Sequence, residues 1–304
     1  MKQLVQDFKT GAILLVDVPE PACAPGCLLV QNAFSLVSAG TEKSTVAVGQ
    51  ASLLGKARLR PDLARQVINT FKKEGLGATV QKVQSRLDQW KQLGYSTAGT
   101  VMEVGEGVTG FAVGDRVACA GQDYASHAGV VCVPQNLCAK IPETVASEHA
   151  AFTTLGAIAL QGVRQAEARV GEVVAVIGLG LVGQLTMQIL KAAGCVVLGI
   201  DVSEPACALA RNCGCDAVAA PTGDDVERLA AQMTNGFGVD VAIITASTES
   251  SEPVELAARL SRDRGRVVLV GVTGAELPRD VFYRKELEFR MSRSYCAGRY
   301  DPVY

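Results

Sequence analysis

Apolar and polar positions follow two different rhythms along this chain, and the change falls near residue 145. Before it, Ala12–Val18, Cys27–Ala33, Thr97–Val104, Asp115–Cys119 and Gly129–Val133 read as short strands. Pro19, Pro21, Pro25 and Gly26 separate the first two, and Gly105-Glu106-Gly107 and Val113-Gly114-Asp115 mark later turns. Many short strands punctuated in this way predict a small β-barrel. After residue 145 strand and helix patterns mix: Val173–Ile177, Leu181–Ala193, Val196–Ile200, Pro205–Cys213, Val226–Thr234, Val239–Ile244, Val254–Leu260 and Arg266–Val270. That order predicts an α/β fold with a parallel, doubly wound sheet.

Between the first strands and Gly94 the spacing changes again. Val80, Val83, Leu87 and Trp90 recur at three, four and three residues, and Leu59, Leu63, Val67 and Phe71 at every fourth. Both patterns belong to one face of a helix, so two helices covering one edge of the barrel are expected. Residues 56–91 also carry nine Lys or Arg against Asp62, Glu74 and Asp88. This basic excess is either a solvated face or a rim that attracts an anionic substrate or partner.

The run Val173-Val174-Ala175-Val176-Ile177-Gly178-Leu179-Gly180-Leu181-Val182-Gly183 joins a strand to a helix through a glycine-rich turn. Gly178 permits the turn, Gly180 lets the backbone approach a pyrophosphate, and Gly183 lets the helix pack on the strand. The helix N-terminus supplies free N–H groups for the phosphates. Asp201 ends the next strand, 18 residues after Gly183. An acid there accepts hydrogen bonds from ribose hydroxyls and repels a 2′-phosphate, which points to NAD. The candidate cofactor-binding residues are Gly178, Gly180, Leu181, Val182, Gly183, Asp201 and, after the Arg266–Val270 strand, Gly271.

Composition narrows the field. A chain of 304 residues with 48% hydrophobic residues is large enough for two domains with their own cores. A net charge of −2 argues against general nucleic-acid binding, and no apolar run is long enough for a membrane span. The N-terminus has no signal-peptide pattern, so a cytoplasmic location is expected. The ten cysteines then read as reduced thiols. Neither Cys23 and Cys27 nor Cys207, Cys213 and Cys215 pairs as CxxC with a histidine at ligand spacing, and the chain has only His127 and His149.

Taken together, these segments resemble the medium-chain dehydrogenase/reductase superfamily, a GroES-like barrel followed by a Rossmann domain. The resemblance rests on Pro25-Gly26, Gly40-Thr41-Glu42, Gly94-Tyr95 through Gly99-Thr100-Val101, and Val104-Gly105 with Val113-Gly114-Asp115-Arg116-Val117. It continues through Lys140-Ile141-Pro142, the segment around Thr154, the glycine-rich turn, and Leu209-Ala210-Arg211 with Gly214-Cys215-Asp216. It implies a barrel domain over 1–146 with the basic insertion at about 50–92, and a Rossmann domain over 147–290. Residues 291–304 are then an incomplete return segment, as in a shortened form or a piece of a longer polypeptide. The resemblance also sets Thr154 near the nicotinamide.

The departures carry the mechanism. Zinc alcohol dehydrogenases have Cys-Gly-Thr-Asp-like and Gly-His-Glu motifs that supply catalytic zinc ligands and a neighbouring acid. Here Ala39 stands at the cysteine position, and Tyr95 and Ser96 replace the His-Glu pair. The four-cysteine structural lobe is missing too, since only Cys119, Cys132 and Cys138 lie between Val117 and Lys140. No bound metal is expected. Ser38 to Lys43, the basic insertion and Tyr300-Asp301-Pro302 resemble the dehydrogenase half of bacterial two-domain oxidoreductases. There a Gfo/Idh/MocA-like domain follows, often in cell-surface polysaccharide metabolism. The zinc-less bacteriochlorophyllide dehydrogenases share the Gly-Thr-Glu signature.

Without zinc, hydrogen-bond donors or a side-chain acid must act on the substrate oxygen. Tyr95 is a phenol donor or an aromatic wall, and Ser38, Thr41 and Glu42 lie on a loop expected to face the cleft. His127 is a proton relay or a satisfied barrel histidine, and His149 serves packing. The expected activity is zinc-independent, NAD(H)-dependent oxidation or reduction of a small alcohol or carbonyl, anionic or sugar-like. The alternatives are an NADPH-dependent enone or quinone reductase, and a cofactor-binding module inactive without a downstream domain. Homo-oligomers or a longer polypeptide follow from the incomplete return, because an open strand edge invites pairing.

Overall fold

The computed structural model describes residues 1–7, 10–38, 40, 42, 46, 50, 90–221, 224–296 and 298. Thr41, the two expected helices over Leu59–Phe71 and Val80–Leu87 with their basic charge, and Tyr300-Asp301-Pro302 lie outside the described residues. The chain forms two compact units, Met1–Thr154 and Leu155–Tyr304.

The first unit is built from antiparallel strands. One sheet has the order β7 (Val130–Pro134), β3 (Cys27–Ser35), β5 (Ser96–Val104), β6 (Arg116–Ala120) and β8 (Cys138–Lys140). Alternation turns Leu28, Val30, Val101, Val117, Val131 and Val133 into a common core. A second sheet orders β2 (Ile13–Asp17), β1 (Lys2–Asp7) and β4 (Trp90–Gln92). Trp90 therefore pairs with Asp7 in a strand and does not continue a helical face. A three-residue pattern extrapolated into it failed because cross-strand pairing ended the period. β1 escapes a hydrophobic reading because two of its inward residues are polar, Gln3 and Gln6. Gln6 is buried only because its amide donates to the carbonyls of Gly11 and Val46. A short helix, α1 (Ser147–Ala150), follows β8, and α2 (Thr153–Ala166) carries the chain onward.

The second unit is a six-stranded parallel sheet. Its order is β11 (Ala217–Ala219), β10 (Val196–Ile200), β9 (Val173–Ile177), β12 (Val239–Ile244), β13 (Ser261–Leu269) and β14 (Glu288–Met291). The central strands β9 and β10 are unbroken apolar runs because both faces are covered. Ala175, Ile177, Leu198, Ile200, Ala242 and Ile244 pack on α5 (Asp224–Met233) and α6 (Glu252–Leu260). Val174, Val176, Val197, Val241 and Ile243 pack on α2, α3 (Leu181–Ala192) and α4 (Glu204–Asn212). α7 (Arg279–Lys285) leads into β14, the extra edge strand. Among the described residues no helix is long and apolar enough to cross a membrane.

One buried ion pair locks this unit. Arg266 on β13 pairs with Glu172, and its guanidinium also donates to the carbonyls of Ala166 (2.9 Å) and Glu167 (2.8 Å) at the end of α2. Arg266→Met strands the Glu172 carboxylate and two carbonyls, so denaturant unfolding should lose about 3–5 kcal/mol. A loss within about 1 kcal/mol would reduce the pair to an ordinary surface bridge.

Candidate functional site

Two groups of candidate residues form separate polar assemblies, one in each unit. In the second unit the glycine-rich turn leaves β9 and enters α3. Gly178 has φ +100° and donates its N–H to Ile200 O at 2.7 Å. A Cβ on Gly183 would lie 1.9 Å from Gly178 O, so no side chain fits where α3 meets the turn. Around Gly180, by contrast, the space is open. Gly180 caps α3 without any side-chain hydrogen bond. The amides of Leu181, Val182 and Gly183 thus begin a helix of 12 residues with no internal carbonyl to accept them. Open space above free amides suits an anion such as a pyrophosphate.

Asp201 follows β10. Its carboxylate accepts the Leu179 amide at 2.6 Å and the Ser203 amide at 2.8 Å. Each oxygen retains a further lone pair for a ribose hydroxyl. A cavity of about 310 Å³ opens beside it at the C-terminal ends of β10 and β11, lined by Asp201, Val202, Cys207, Arg211, Ala219 and Arg228 among others. A parallel sheet holds its ligands at this end. Sequence reasoning missed Gln184, whose buried amide donates to Leu179 O (3.1 Å) and Ala206 O (2.9 Å). Its place directly after Gly183 was the available signal. Gly271 packs against the end of β12, where a Cβ would lie 2.1 Å from Ala246 O. A nicotinamide dinucleotide fits this donor set and cradle.

In the first unit, β3 ends at Ser35, and the chain passes Ser38 to Glu42. His127 brings the two together. Its Nδ1 lies 2.8 Å from Ser35 Oγ, and its Nε2 lies 3.1 and 3.2 Å from the Glu42 carboxylate oxygens. The side chains of His127 and Glu42 are only 8% and 12% exposed. Burial pushes the Glu42 carboxyl up, yet hydrogen bonds from His127 and the Ser38 amide outweigh it and hold the group below its ordinary value. The ionised carboxylate suits an Nε2–H donor, and the other ring nitrogen shares a hydrogen bond with the Ser35 hydroxyl.

The remaining candidates are placed differently. Tyr95 is half-buried, beside Gly94. Ser96 is buried and donates to Ala151 O at 2.6 Å. Thr154 is also buried, with its hydroxyl on Cys119 O at 3.3 Å. His149 serves no packing, because its side chain is 74% exposed beside Glu148. It begins no apolar face of α1, and solvation wins. Ser35 was not foreseen, since it touches a residue 92 positions away. All ten cysteines are free thiols, with Cys119 and Cys138 sulfurs 3.8 Å apart.

The fold matches known proteins in the same order. Residues 76–143 match the family described as "Alcohol dehydrogenase GroES-like domain", and residues 182–303 match "Zinc-binding dehydrogenase". The two matches, in this order, support membership of the medium-chain dehydrogenase/reductase superfamily. Its members use nicotinamide cofactors. The chain is 36% identical over 156 residues to D-guloside 3-dehydrogenase of Escherichia coli (strain K12), covering 51% of this chain and 44% of that one. It therefore spans less than half the length of that relative. It is 31% identical over 223 residues to (R,R)-butanediol dehydrogenase of Bacillus subtilis (strain 168), covering 64% and 63%. The alcohol dehydrogenase TADH from Thermus sp. ATN1 shares the fold with a TM-score of 0.76 at 21% identity, covering 97% of this chain and 85% of that one.

The second matched family carries zinc in its name, but the residues here suit that metal poorly. Tyr95 and the committed Ser96 hydroxyl are poor zinc donors, and His127 and Glu42 bind each other. Among the described residues no three His, Cys, Asp or Glu side chains gather around a common point. This donor set does not fit a catalytic zinc.

Enclosure of His127 is directly measurable. Gly94 has φ +91°, and a Cβ there would lie 2.7–2.8 Å from His127 N, Cγ and Nδ1. Diethyl pyrocarbonate should modify exposed His149 quickly and His127 slowly in the native chain, and Gly94→Ala should make both fast. Equal rates in the native chain would contradict the enclosed ring.

Proposed function

We propose that this chain is a zinc-independent, NAD(H)-dependent oxidoreductase of an alcohol or carbonyl, with a sugar-like small molecule as substrate. The observation that carries the reading is the cradle at the end of β9, with open space at Gly180, free α3 amides and Asp201 at its side. A bound nicotinamide supplies the hydride chemistry. The chain's own work is to hold the pyrophosphate on the α3 amides and to accept the ribose hydroxyls on Asp201. A 2′-phosphate would meet the same carboxylate and be repelled. The two cavity arginines are paired, Arg211 with Glu204 (2.6 Å) and Arg228 with Asp225 (2.8 Å), and so do little to offset that repulsion. This disfavours the NADPH-dependent enone or quinone reductase.

Support for an alcohol or carbonyl substrate comes from the names of the relatives, a guloside dehydrogenase and a butanediol dehydrogenase. Support for zinc independence comes from the donor set around Tyr95 and Ser96. The proton left by hydride transfer then belongs to side chains, for which Tyr95, Thr41, Glu42 and His127 are the candidates.

Titration calorimetry should find NAD(H) bound about tenfold or more tightly than NADP(H), a difference of about 1.4 kcal/mol. Asp201→Ala removes the ribose acceptor and frees the Leu179 amide, so it should weaken NAD(H) and narrow the gap. Equal affinities in the native chain would refute the cofactor assignment. Elemental analysis should find far less than one zinc per chain, and a chelator should leave oxidation of methyl D-guloside with NAD⁺ unchanged. Stoichiometric zinc whose removal abolishes turnover would overturn the zinc-independent reading.

A further inference from the structure

Five of the ten cysteines belong to the first unit, and two of them meet sulfur to sulfur. Cys119 on β6 lies opposite Cys138 on β8 in the antiparallel register, with the Sγ atoms 3.8 Å apart. Backbone hydrogen bonds nearby fix which kind of pair this is. Ile141 donates its N–H to Arg116 O, so Arg116 and Ile141 face each other as a hydrogen-bonded pair. Antiparallel pairs alternate, which makes Ala118 and Ala139 hydrogen-bonded and Cys119 and Cys138 non-hydrogen-bonded. The Gly121 amide agrees, because it donates to Tyr95 O and so turns the odd-numbered residues of β6 toward β5. In a non-hydrogen-bonded pair the Cα atoms lie about 4.5 Å apart. Disulfides span about 4.4–6.8 Å between Cα atoms, so this pair can close without moving either strand.

Cys27 and Cys132 also touch, but in another register. Cys27 faces Pro134 and Cys132 faces Leu29, which makes the two cysteines diagonal neighbours. The Cα atoms of diagonal neighbours lie about 7–8 Å apart, outside disulfide reach. Access favours the first pair as well. β8 has three residues, stands at the end of the sheet order, and leaves Cys138 half-buried. Cys119 is 2% exposed in the core. The Cys119 sulfur and burial push the Cys138 thiol far above its ordinary value. Its thiolate therefore forms when β8 opens locally, as short edge elements do well below the cost of global unfolding.

We propose that Cys119 and Cys138 are an oxidation site, a dithiol that a small disulfide such as oxidised glutathione converts to a cross-strand disulfide. The proposal does not depend on the oxidoreductase reading. Cys138 Sγ loses its proton and attacks one sulfur of the small disulfide, whose S–S bond breaks and releases one thiolate. Cys119 Sγ then loses its proton and attacks Cys138 Sγ, expelling the second small thiolate. The protein thiols give up two electrons and two protons, and the small disulfide leaves as two thiols. The new bond ties β8 to β6 and joins positions 19 apart in sequence, closing a loop that carries His127 and β7.

The test uses the whole chain, reduced and freed of reductant, then held with oxidised glutathione and quenched by alkylation. Trypsin with a protease that cuts before aspartate separates residues 117–122, holding Cys119, from residues 123–140, holding Cys132 and Cys138. Mass spectrometry should find these two peptides joined, with fragmentation placing the bond at Cys138. The melting temperature should rise by about 5 °C or more. The Ala139 amide should exchange its hydrogen more slowly in the oxidised chain, and dithiothreitol should reverse all three changes. Cys132→Ser should still form the link, whereas Cys138→Ser should lose both the link and the melting shift. A glutathione adduct left standing on Cys138 would overturn the proposal, since Cys119 would then be out of reach. A bond at Cys132 would overturn the register argument, and a link that forms only in denaturant would overturn the site.

Discussion

The missing Cβ of Gly183 decides how close α3 can come to the end of β9, and the nucleotide cradle depends on that approach. A methyl group would sit 1.9 Å from the Gly178 carbonyl, a distance at which one of the two backbones must move. With the helix seated, Leu179 is gripped at both ends of its residue. Its N–H is taken by Asp201 and its C=O by Gln184. Thr245 holds the Gly178 carbonyl from the neighbouring strand. The chain's own side chains thus hold the turn, which a bound nucleotide need not then order.

The residue proposed to select the ribose also braces the loop. Asp201 links the turn after β9 to the start of α4 through the amides of Leu179 and Ser203. On the proposed reading, cofactor choice and loop geometry meet at one carboxylate. The other unit holds an enclosed polar assembly of its own. Its members are a serine, a histidine and a glutamate, in which the anion faces a ring nitrogen and the hydroxyl faces outward. That arrangement can move a proton, and its histidine and glutamate fall short of the three protein donors of a catalytic zinc.

The second unit was legible because its strands are buried on both faces. β9 and β10 begin and end where their unbroken apolar runs do, β12 matches its run despite Asp240, and the glycine spacing located the turn. Edge and polar strands were hidden. β14 reads Glu-Phe-Arg-Met, with one neighbour and mixed burial, and β1 hides behind two buried glutamines. Asp201, His127 and Glu42 were visible as residue types at suggestive positions. Ser35 was not, because its partner arrives from 92 residues away and no local pattern encodes that meeting. Single-residue chemistry was readable; the tertiary contact that joins it was not.

The proposed chemistry is hydride transfer to NAD⁺ without a metal, with the proton left to the chain's own side chains. Deuterium transfer tests it most directly. An alcohol substrate deuterated at its carbinol carbon is incubated with the protein and NAD⁺ in excess zinc chelator, and the reduced cofactor is examined by mass spectrometry. The account predicts one deuterium in NADH for each alcohol oxidised, at a rate the chelator does not change. Transfer that appears only when zinc is restored, or only with NADP⁺, would contradict it.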